Sequence, residues 1–125
     1  MKEILRNGPI NSEFEAPGVF ATYSQGLLSQ DGFESLKAKA IDASDATKAS
    51  NISQKTLHDQ GLAWTNLNHS IMIVGWGVDD SDKKYWIARN SYGKKWGMDG
   101  DFYIRRGKDD FGIESEQVAF EVELL

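Results

Sequence analysis

The stretch Asn68-His69-Ser70-Ile71-Met72-Ile73-Val74-Gly75-Trp76-Gly77 decides the fold of this chain. A polar head opens a short apolar run rich in β-branched residues, a pattern that predicts a strand. A second run, Tyr85-Trp86-Ile87-Ala88-Arg89, leads into Asn90-Ser91-Tyr92-Gly93, and Asp79-Asp80-Ser81-Asp82 between the two runs has turn chemistry. The sequence therefore predicts a hairpin that places His69, at the head of one strand, beside Asn90, at the end of the next.

This pairing of an imidazole with an amide is two thirds of a Cys-His-Asn catalytic triad. An imidazole lowers the pKa of a neighbouring thiol and later delivers a proton to the leaving group. An asparagine oxygen holds the imidazole in position by accepting its second N–H. Taken alone, His69 is also compatible with a hydrogen-bonded core or rim histidine, and Asn90 with a turn residue that ends a strand. The chain contains no cysteine, so the nucleophile is expected on another segment.

Length and composition limit the possible classes of protein. The 125 residues suffice for one domain, and 40% hydrophobic with 26% charged residues is ordinary for a globular protein. The net charge of −5 argues against a nucleic-acid partner, because the basic cluster Arg105-Arg106-Gly107-Lys108 is too short to offset it. No apolar run approaches the roughly 18 residues of a membrane span, so no membrane insertion is expected.

The N-terminal residues show a helix end followed by a strand pattern. Residues 1–7 are predicted to be the end of a helix stopped by Gly8-Pro9, and residues 10–15 alternate as a strand does. Val19, Phe20 and Tyr23 have helical spacing. A start in mid-helix without a signal peptide indicates a fragment of a longer protein.

Residues 29–66 are predicted to form a polar insertion that lies mostly in an exposed loop. One short amphipathic helix is expected within it, carrying Phe33, Leu36, Ala40 and Ile41. From His69 onward, strands are predicted at residues 70–76, 84–88, 101–105 and 117–124. These closely spaced strands indicate the α+β class, with a small antiparallel, barrel-like sheet and few helices.

Four motifs, in order, resemble the C-terminal half of the papain family of cysteine peptidases. Residues 2–9 are similar to the Glu-Ile-x-x-Asn-Gly-Pro segment of that family. The His69 and Asn90 frames resemble its Asn-His-Ala…Gly-Trp/Tyr-Gly and Tyr-Trp…Asn-Ser-Trp-Gly…Trp-Gly…Gly motifs. The final match is the ending Arg105-Arg106-Gly107…Gly112-Ile113-Glu114-Ser115.

The resemblance implies that residues 1–125 are the β-rich C-terminal half of a peptidase whose Cys-bearing N-terminal half lies elsewhere. His69 would act as general base and acid, and Asn90 would orient it. Asn68 would contact substrate, and Tyr92 and Trp96 would wall the cleft. The implied partners are a Cys-bearing domain or chain of the same peptidase and a peptide or protein substrate. The implied location is lysosomal, vacuolar or secreted.

The likeness is closest to the cathepsin B and cathepsin C branches. In cathepsin B, the residue that matches Glu116 lies at the base of the second specificity pocket and accommodates a basic side chain. A carboxylate that faces a guanidinium makes a strong and geometrically selective pair. The alternative is that Glu116 is a solvated residue at a strand end.

Three departures from the family pattern leave a second function open. Phe111 replaces a cysteine, so the usual disulfide is absent there; Tyr92 replaces a tryptophan, which predicts a weaker shield over the His–Asn hydrogen bond; and the 29–66 insertion is long. These changes favour a non-catalytic, peptidase-like domain used for binding or assembly. The retained His69 and Asn90 favour a peptidase.

No metal or cofactor is expected. With two histidines and no cysteine, a zinc site would need several carboxylates, and none has ligand spacing. His58 lies in the polar insertion, where a solvated loop histidine is the simpler interpretation. Residues 79–82 share only their charge with a calcium loop, because they lack its glycine and its closing glutamate.

Overall fold

In the computed structural model, which describes residues 1–18, 20–32 and 67–120, six strands form one sheet. The chain begins with helix α1 at Lys2–Asn7. The strands are β1 (Ile10–Phe14), β2 (Leu27–Leu28), β3 (His69–Val78), β4 (Lys84–Arg89), β5 (Asp101–Arg105) and β6 (Glu116–Val118). Two short 3-10 turns lie at Phe20–Thr22 and Asp110–Gly112. The strand order across the sheet is β2-β5-β4-β3-β1-β6.

The predicted hairpin of β3 and β4 lies at the centre of the sheet. Its strands pair antiparallel from Met72 opposite Arg89 to Val78 opposite Lys84, with a register shift between Ile73 and Gly75. The Oδ1 atom of Asp79 accepts the backbone N–H groups of Ser81 and Lys83 at 2.9 Å each, which closes the turn. The turn predicted at residues 79–82 therefore connects β3 to β4.

The hydrophobic core covers one face of the sheet. In β1, Ile10, Ser12 and Phe14 are buried, whereas Glu13 is exposed, so the strand has the alternation of a half-buried sheet. The core consists of residues from four strands, from both 3-10 turns and from the position after the second turn: Ile10, Phe14, Phe20, Ile71, Ile73, Trp86, Ala88, Phe102, Ile104, Phe111 and Ile113. The helix α1 has no buried residue and lies at the surface. Among the described residues, no helix is long and apolar enough to cross a membrane.

The α+β class is confirmed, but the antiparallel, barrel-like arrangement is not. Strand β2 pairs parallel to β5, and β2 and β6 lie at opposite edges of the sheet in the described chain. The sheet is open because these two edge strands do not pair with each other. Both are short, with two and three residues. The expected last strand also begins one residue early and ends at Val118, and residues 121–125 lie outside the described part.

The Phe20–Tyr23 region forms a single 3-10 turn, not a longer helix. Val19 and residues 33–66, with His58 and the expected short helix, lie outside the described residues.

The start of the predicted insertion is fixed against the sheet by an ion-pair network. Arg105 donates two hydrogen bonds of 2.7 Å to the buried carboxylate of Asp110 and one of 2.7 Å to Asp31. The backbone N–H of Gln30 donates to the same Asp110 carboxylate at 3.3 Å. These hydrogen bonds, chiefly those to Asp110, raise the pKa of Arg105 above its ordinary value. Gln30 and Asp31 are therefore anchored to Asp110 and Arg105.

Candidate active site

His69 and Asn90 meet at one end of the sheet, as the predicted hairpin requires. His69 is the first residue of β3, opposite Phe14 in β1, and Asn90 directly follows β4. The Nε2 atom of His69 lies 2.8 Å from the Oδ1 atom of Asn90. The distance is that of a strong hydrogen bond.

The surroundings of Asn90 fix the direction of that hydrogen bond. Its Oδ1 atom also accepts the backbone N–H of Ser91 at 2.8 Å, and its own backbone N–H donates to the carbonyl of Gly100 at 3.0 Å. With its oxygen oriented by a second donor, Asn90 accepts the Nε2–H of His69, so this hydrogen-bond network assigns the proton to Nε2. The Nδ1 atom of His69, which has no hydrogen-bond partner among the described residues, keeps its lone pair.

Aromatic side chains surround the His69 ring. Its centroid lies 5.4 Å from that of Tyr92, 5.6 Å from Phe20 and 5.7 Å from Phe14. The ring centroid of Trp96 lies 4.8 Å from that of Phe20 and 5.6 Å from that of Tyr92. The Trp96 indole N–H donates to the carbonyl of Ala21 at 3.0 Å. Tyr92 is 49% exposed, so one side of the cluster faces solvent. Together these rings restrict the orientation of the imidazole.

Phe20 is a supporting residue that the sequence did not indicate. Its side chain is 2% exposed and touches His69, Tyr92 and Trp96, which come from two other segments. The only sequence signal was a pair of aromatic residues three apart, Phe20 and Tyr23, and that spacing suggests a helix. Its contact with His69 depends on the path of the chain from β1 back across the sheet end.

The two other predicted substrate-binding residues occupy different positions. Asn68 is exposed next to His69, and its Oδ1 atom accepts the backbone N–H of Ala16 at 2.9 Å. Glu116 begins β6, opposite Glu13 of β1, and Glu13 is in turn opposite Ser70 of β3. Glu116 therefore lies two strands away from the His69 strand, whereas His69, Asn90, Tyr92 and Trp96 form one contiguous group.

Glu114 has a structural role away from the His69–Asn90 pair. Its Oε1 atom accepts the Trp86 indole N–H at 2.8 Å and the Gly107 backbone N–H at 2.6 Å. Its Oε2 atom accepts the Asp109 backbone N–H at 3.1 Å. In the sequence, Glu114 stands out only as part of a motif. Its three partners come from a strand and a turn, which the fold alone brings together.

Potential metal ligands are not grouped together in the described part of the chain. No group of three or more His, Asp or Glu side chains in residues 1–18, 20–32 and 67–120 could hold a metal ion. What the candidate site offers chemically is one oriented imidazole with a free lone pair.

Comparison with known proteins identifies the family. The sequence profile described as papain family cysteine protease matches residues 40–120. Dipeptidyl aminopeptidase 1 of Plasmodium falciparum (isolate 3D7) is 37% identical over 124 residues, which cover 97% of this chain and 16% of that protein. Cathepsin B-like protease 1 of Arabidopsis thaliana is 30% identical over 95% of the chain and 24% of its own length. Cathepsin C of Schistosoma mansoni is 31% identical over 95% of the chain and 22% of its own length.

Solved structures show the same fold. Digestive procathepsin L2 proteinase from the larval midgut of Tenebrio molitor matches 90% of this chain over 26% of its own length, with a TM-score of 0.55 and 24% identity. Digestive procathepsin L 3 from the same source matches 92% of this chain over 28% of its own length, with a TM-score of 0.59 and 23% identity. The chain belongs to the papain family of cysteine proteases. It spans 16–24% of the length of the three relatives given above.

Proposed function

We propose that residues 1–125 are the C-terminal, β-rich segment of a thiol peptidase and supply its catalytic His69 and Asn90. The observation that carries this proposal is the 2.8 Å contact between His69 Nε2 and Asn90 Oδ1. A histidine held in this way presents its Nδ1 lone pair to a partner group. The nucleophilic cysteine comes from another segment of the same peptidase, because this chain has none.

The proposed reaction uses the two ring nitrogens of His69 differently. Nδ1 removes the proton of the thiol, and the thiolate attacks the peptide carbonyl carbon. The imidazolium then gives that proton to the leaving amine as the C–N bond breaks, which leaves a thioester. Nδ1 next takes a proton from water as the water oxygen attacks the thioester carbonyl carbon. The C–S bond then breaks, which releases the acid, and the imidazolium returns its proton to the thiolate. Asn90 accepts the Nε2–H throughout without adding a charge.

The neighbouring residues would shape the cleft. Tyr92 and Trp96 form its wall and limit the access of water to the His69–Asn90 hydrogen bond. Asn68, whose side-chain oxygen is engaged by Ala16, would contact substrate through its main chain. Glu116 would accept a basic side chain of the substrate, as its match in cathepsin B does.

The proposed partners are the Cys-bearing segment and a peptide or protein substrate. The net charge of −5 supports the absence of a nucleic-acid partner. The proposed location is lysosomal, vacuolar or secreted, and it rests on the similarity to the cathepsin B-like protease and cathepsin C. No cofactor is needed for the proposed reaction.

Labelling with a thiol-directed active-site probe tests the proposal in the full-length protein that contains this chain. We expect the probe to label a cysteine outside residues 1–125 and the labelling to disappear in His69→Ala. Met72→Ala is the matched control, because Met72 is on the same strand and 47% exposed, so labelling should persist. The absence of labelling in the wild-type protein, with Ser, Gly or Ala at the position facing His69, would instead establish the non-catalytic, peptidase-like domain.

A further inference from the structure

Tyr23 joins two segments that both contact the His69–Asn90 pair. It directly follows the 3-10 turn at Phe20–Thr22, and its ring centroid lies 5.5 Å from that of Trp96 in the β4–β5 loop, residues 90–100. Within residues 1–18, 20–32 and 67–120, no ring contact joins Tyr23 to His69 itself. Any effect of Tyr23 on the imidazole therefore passes through these two segments.

The hydroxyl of Tyr23 fastens the 3-10 turn to the edge of the sheet. It donates to the Gly26 carbonyl at 2.5 Å and accepts the Tyr103 backbone N–H at 3.3 Å. Leu27, the first residue of β2, pairs with the same Tyr103, so the hydroxyl serves β5 at the point where β2 begins. Burial raises the pKa of Tyr23, so the phenol keeps its proton and remains a donor at neutral pH.

The ring of Tyr23 packs against the β4–β5 loop at a glycine. Gly97 has a φ of +59°, and a Cβ atom there would lie 3.4 Å from the Tyr23 ring, so the missing side chain permits the close approach. In the same loop, the Gly100 N–H donates to the Trp96 carbonyl at 2.8 Å, and the Gly100 carbonyl accepts the Asn90 N–H at 3.0 Å. Tyr23 therefore supports the end of the loop that holds its first residue, Asn90.

The Phe20–Thr22 turn and the β4–β5 loop also meet at the His69 ring. The ring centroid of Phe20 lies 5.6 Å from that of His69 and 4.8 Å from that of Trp96. The Trp96 indole N–H donates to the Ala21 carbonyl of the turn at 3.0 Å. A shift of the turn relative to the loop would therefore move both the ring beside His69 and the peptide that holds Asn90.

We propose that Tyr23 is a positioning residue for the His69–Asn90 pair. This inference rests on the proposed peptidase function and adds to it a residue outside the candidate site. The phenol fixes the distance between the Phe20–Thr22 turn and the β4–β5 loop, and thereby the direction in which the imidazole points. Catalysis is sensitive to such changes, because a displacement of about 1 Å can cost about 100-fold in rate.

Matched substitutions of tyrosines in the full-length protein test this role. Tyr23→Leu removes the ring and the hydroxyl, whereas Tyr23→Phe removes the hydroxyl alone. The control is Tyr85→Leu, which removes a ring stacked on Tyr103 at 4.6 Å near the start of β4, the end away from Asn90. Thermal unfolding first identifies a temperature at which all variants are folded. At that temperature, kcat is measured per mole of probe-titrated enzyme with a peptide that releases aminomethylcoumarin.

The expected losses follow the number of contacts removed. Tyr23→Leu should lower kcat by about 10- to 100-fold and Tyr23→Phe by about 3-fold, whereas Tyr85→Leu should stay within about twofold of the wild type. A loosened pair also exposes its Nε2 proton, so the exchange rate of that proton, followed by NMR, should rise in the same order. Lower stability alone would change neither quantity in a variant that stays folded.

The two measurements separate this inference from the peptidase function. Wild-type values of kcat and of Nε2 proton exchange in Tyr23→Leu, or an equal loss in Tyr85→Leu, would overturn the role of Tyr23 and leave the peptidase function intact. A wild-type protein that neither cleaves the peptide nor reacts with the thiol probe would reject the peptidase function. In that case the proton exchange still decides the positioning: faster exchange in Tyr23→Leu alone supports it, and equal exchange in all variants refutes it.

Discussion

Asn90 and Tyr92, two residues apart, support His69 in different ways. Asn90 is 8% exposed and accepts the hydrogen bond from Nε2, whereas Tyr92 is 49% exposed and its ring centroid lies 5.4 Å from that of His69. The hydrogen bond therefore involves a buried amide, and we expect the half-exposed ring of Tyr92 to provide its protection from water.

Replacement of Tyr92 by tryptophan should strengthen that protection. The larger ring of Tyr92→Trp covers more of the His69–Asn90 pair, so we expect kcat to rise a few-fold, and Tyr92→Ala should lower it by about tenfold. The measurement is kcat per mole of probe-titrated enzyme, with the exchange rate of the Nε2 proton followed by NMR. A faster proton exchange in Tyr92→Trp than in the wild type would contradict the shielding role.

At the scale of elements, Glu114 joins β4 to the turn that precedes the 3-10 turn at residues 110–112. Its carboxylate accepts hydrogen bonds from Trp86 in β4 and from the backbone of Gly107 and Asp109. Arg105 and Asp110 make a second connection on the other side of the same turn. These polar contacts hold residues 105–114 against the sheet without a disulfide, and Phe111 fills the core at the position where the family has a cysteine.

The substitution Glu114→Gln should destabilise the fold measurably. A glutamine has one acceptor oxygen, so at least one of the three donors loses its partner, and we expect a cost of about 2 kcal/mol in the free energy of unfolding. Urea unfolding of the full-length protein, followed by tryptophan fluorescence, measures it. The control is Asp80→Asn, whose side chain is exposed in the hairpin turn. An unfolding midpoint equal to that of the wild type would show that Glu114 has no such role.

For the whole molecule, stability is expected to decrease from the centre of the sheet to its edges. Ile73 of β3, Ala88 of β4 and Ile104 of β5 are 0% exposed, and each of these strands has a neighbour on both sides. All three residues of β6 are exposed, and β2 has only two residues. Burial and two-sided pairing together make the central strands the last to open.

Hydrogen exchange tests this order residue by residue. Backbone amides of Ile73 and Ala88 should exchange most slowly, and those of β2 and β6 should exchange at least 100-fold faster, which corresponds to roughly 3 kcal/mol in opening free energy. The experiment is exchange followed by mass spectrometry on the full-length protein. Equal protection of β6 and β3 would contradict this distribution of stability.

The sequence by itself determined the local elements and the chemistry of the site. The alternation of β1, the apolar runs of β3 and β4 and the Asp79 turn are properties of neighbouring residues, which is why they could be read directly. The adjacency of His69 and Asn90 followed from the hairpin, because a short turn leaves little freedom in pairing. The family resemblance was likewise contained in four local motifs.

The tertiary structure alone decided what depends on contacts between distant segments. Four features join residues up to 103 positions apart: the parallel pairing of β2 with β5, the contact of Phe20 with His69, the three hydrogen bonds of Glu114 and the cross-strand pairing of Glu13 with Glu116. Cross-strand neighbours between non-consecutive strands are fixed by strand order and register, and no pattern along the chain specifies them. The open sheet has the same origin, since its edges are set by which strands find partners.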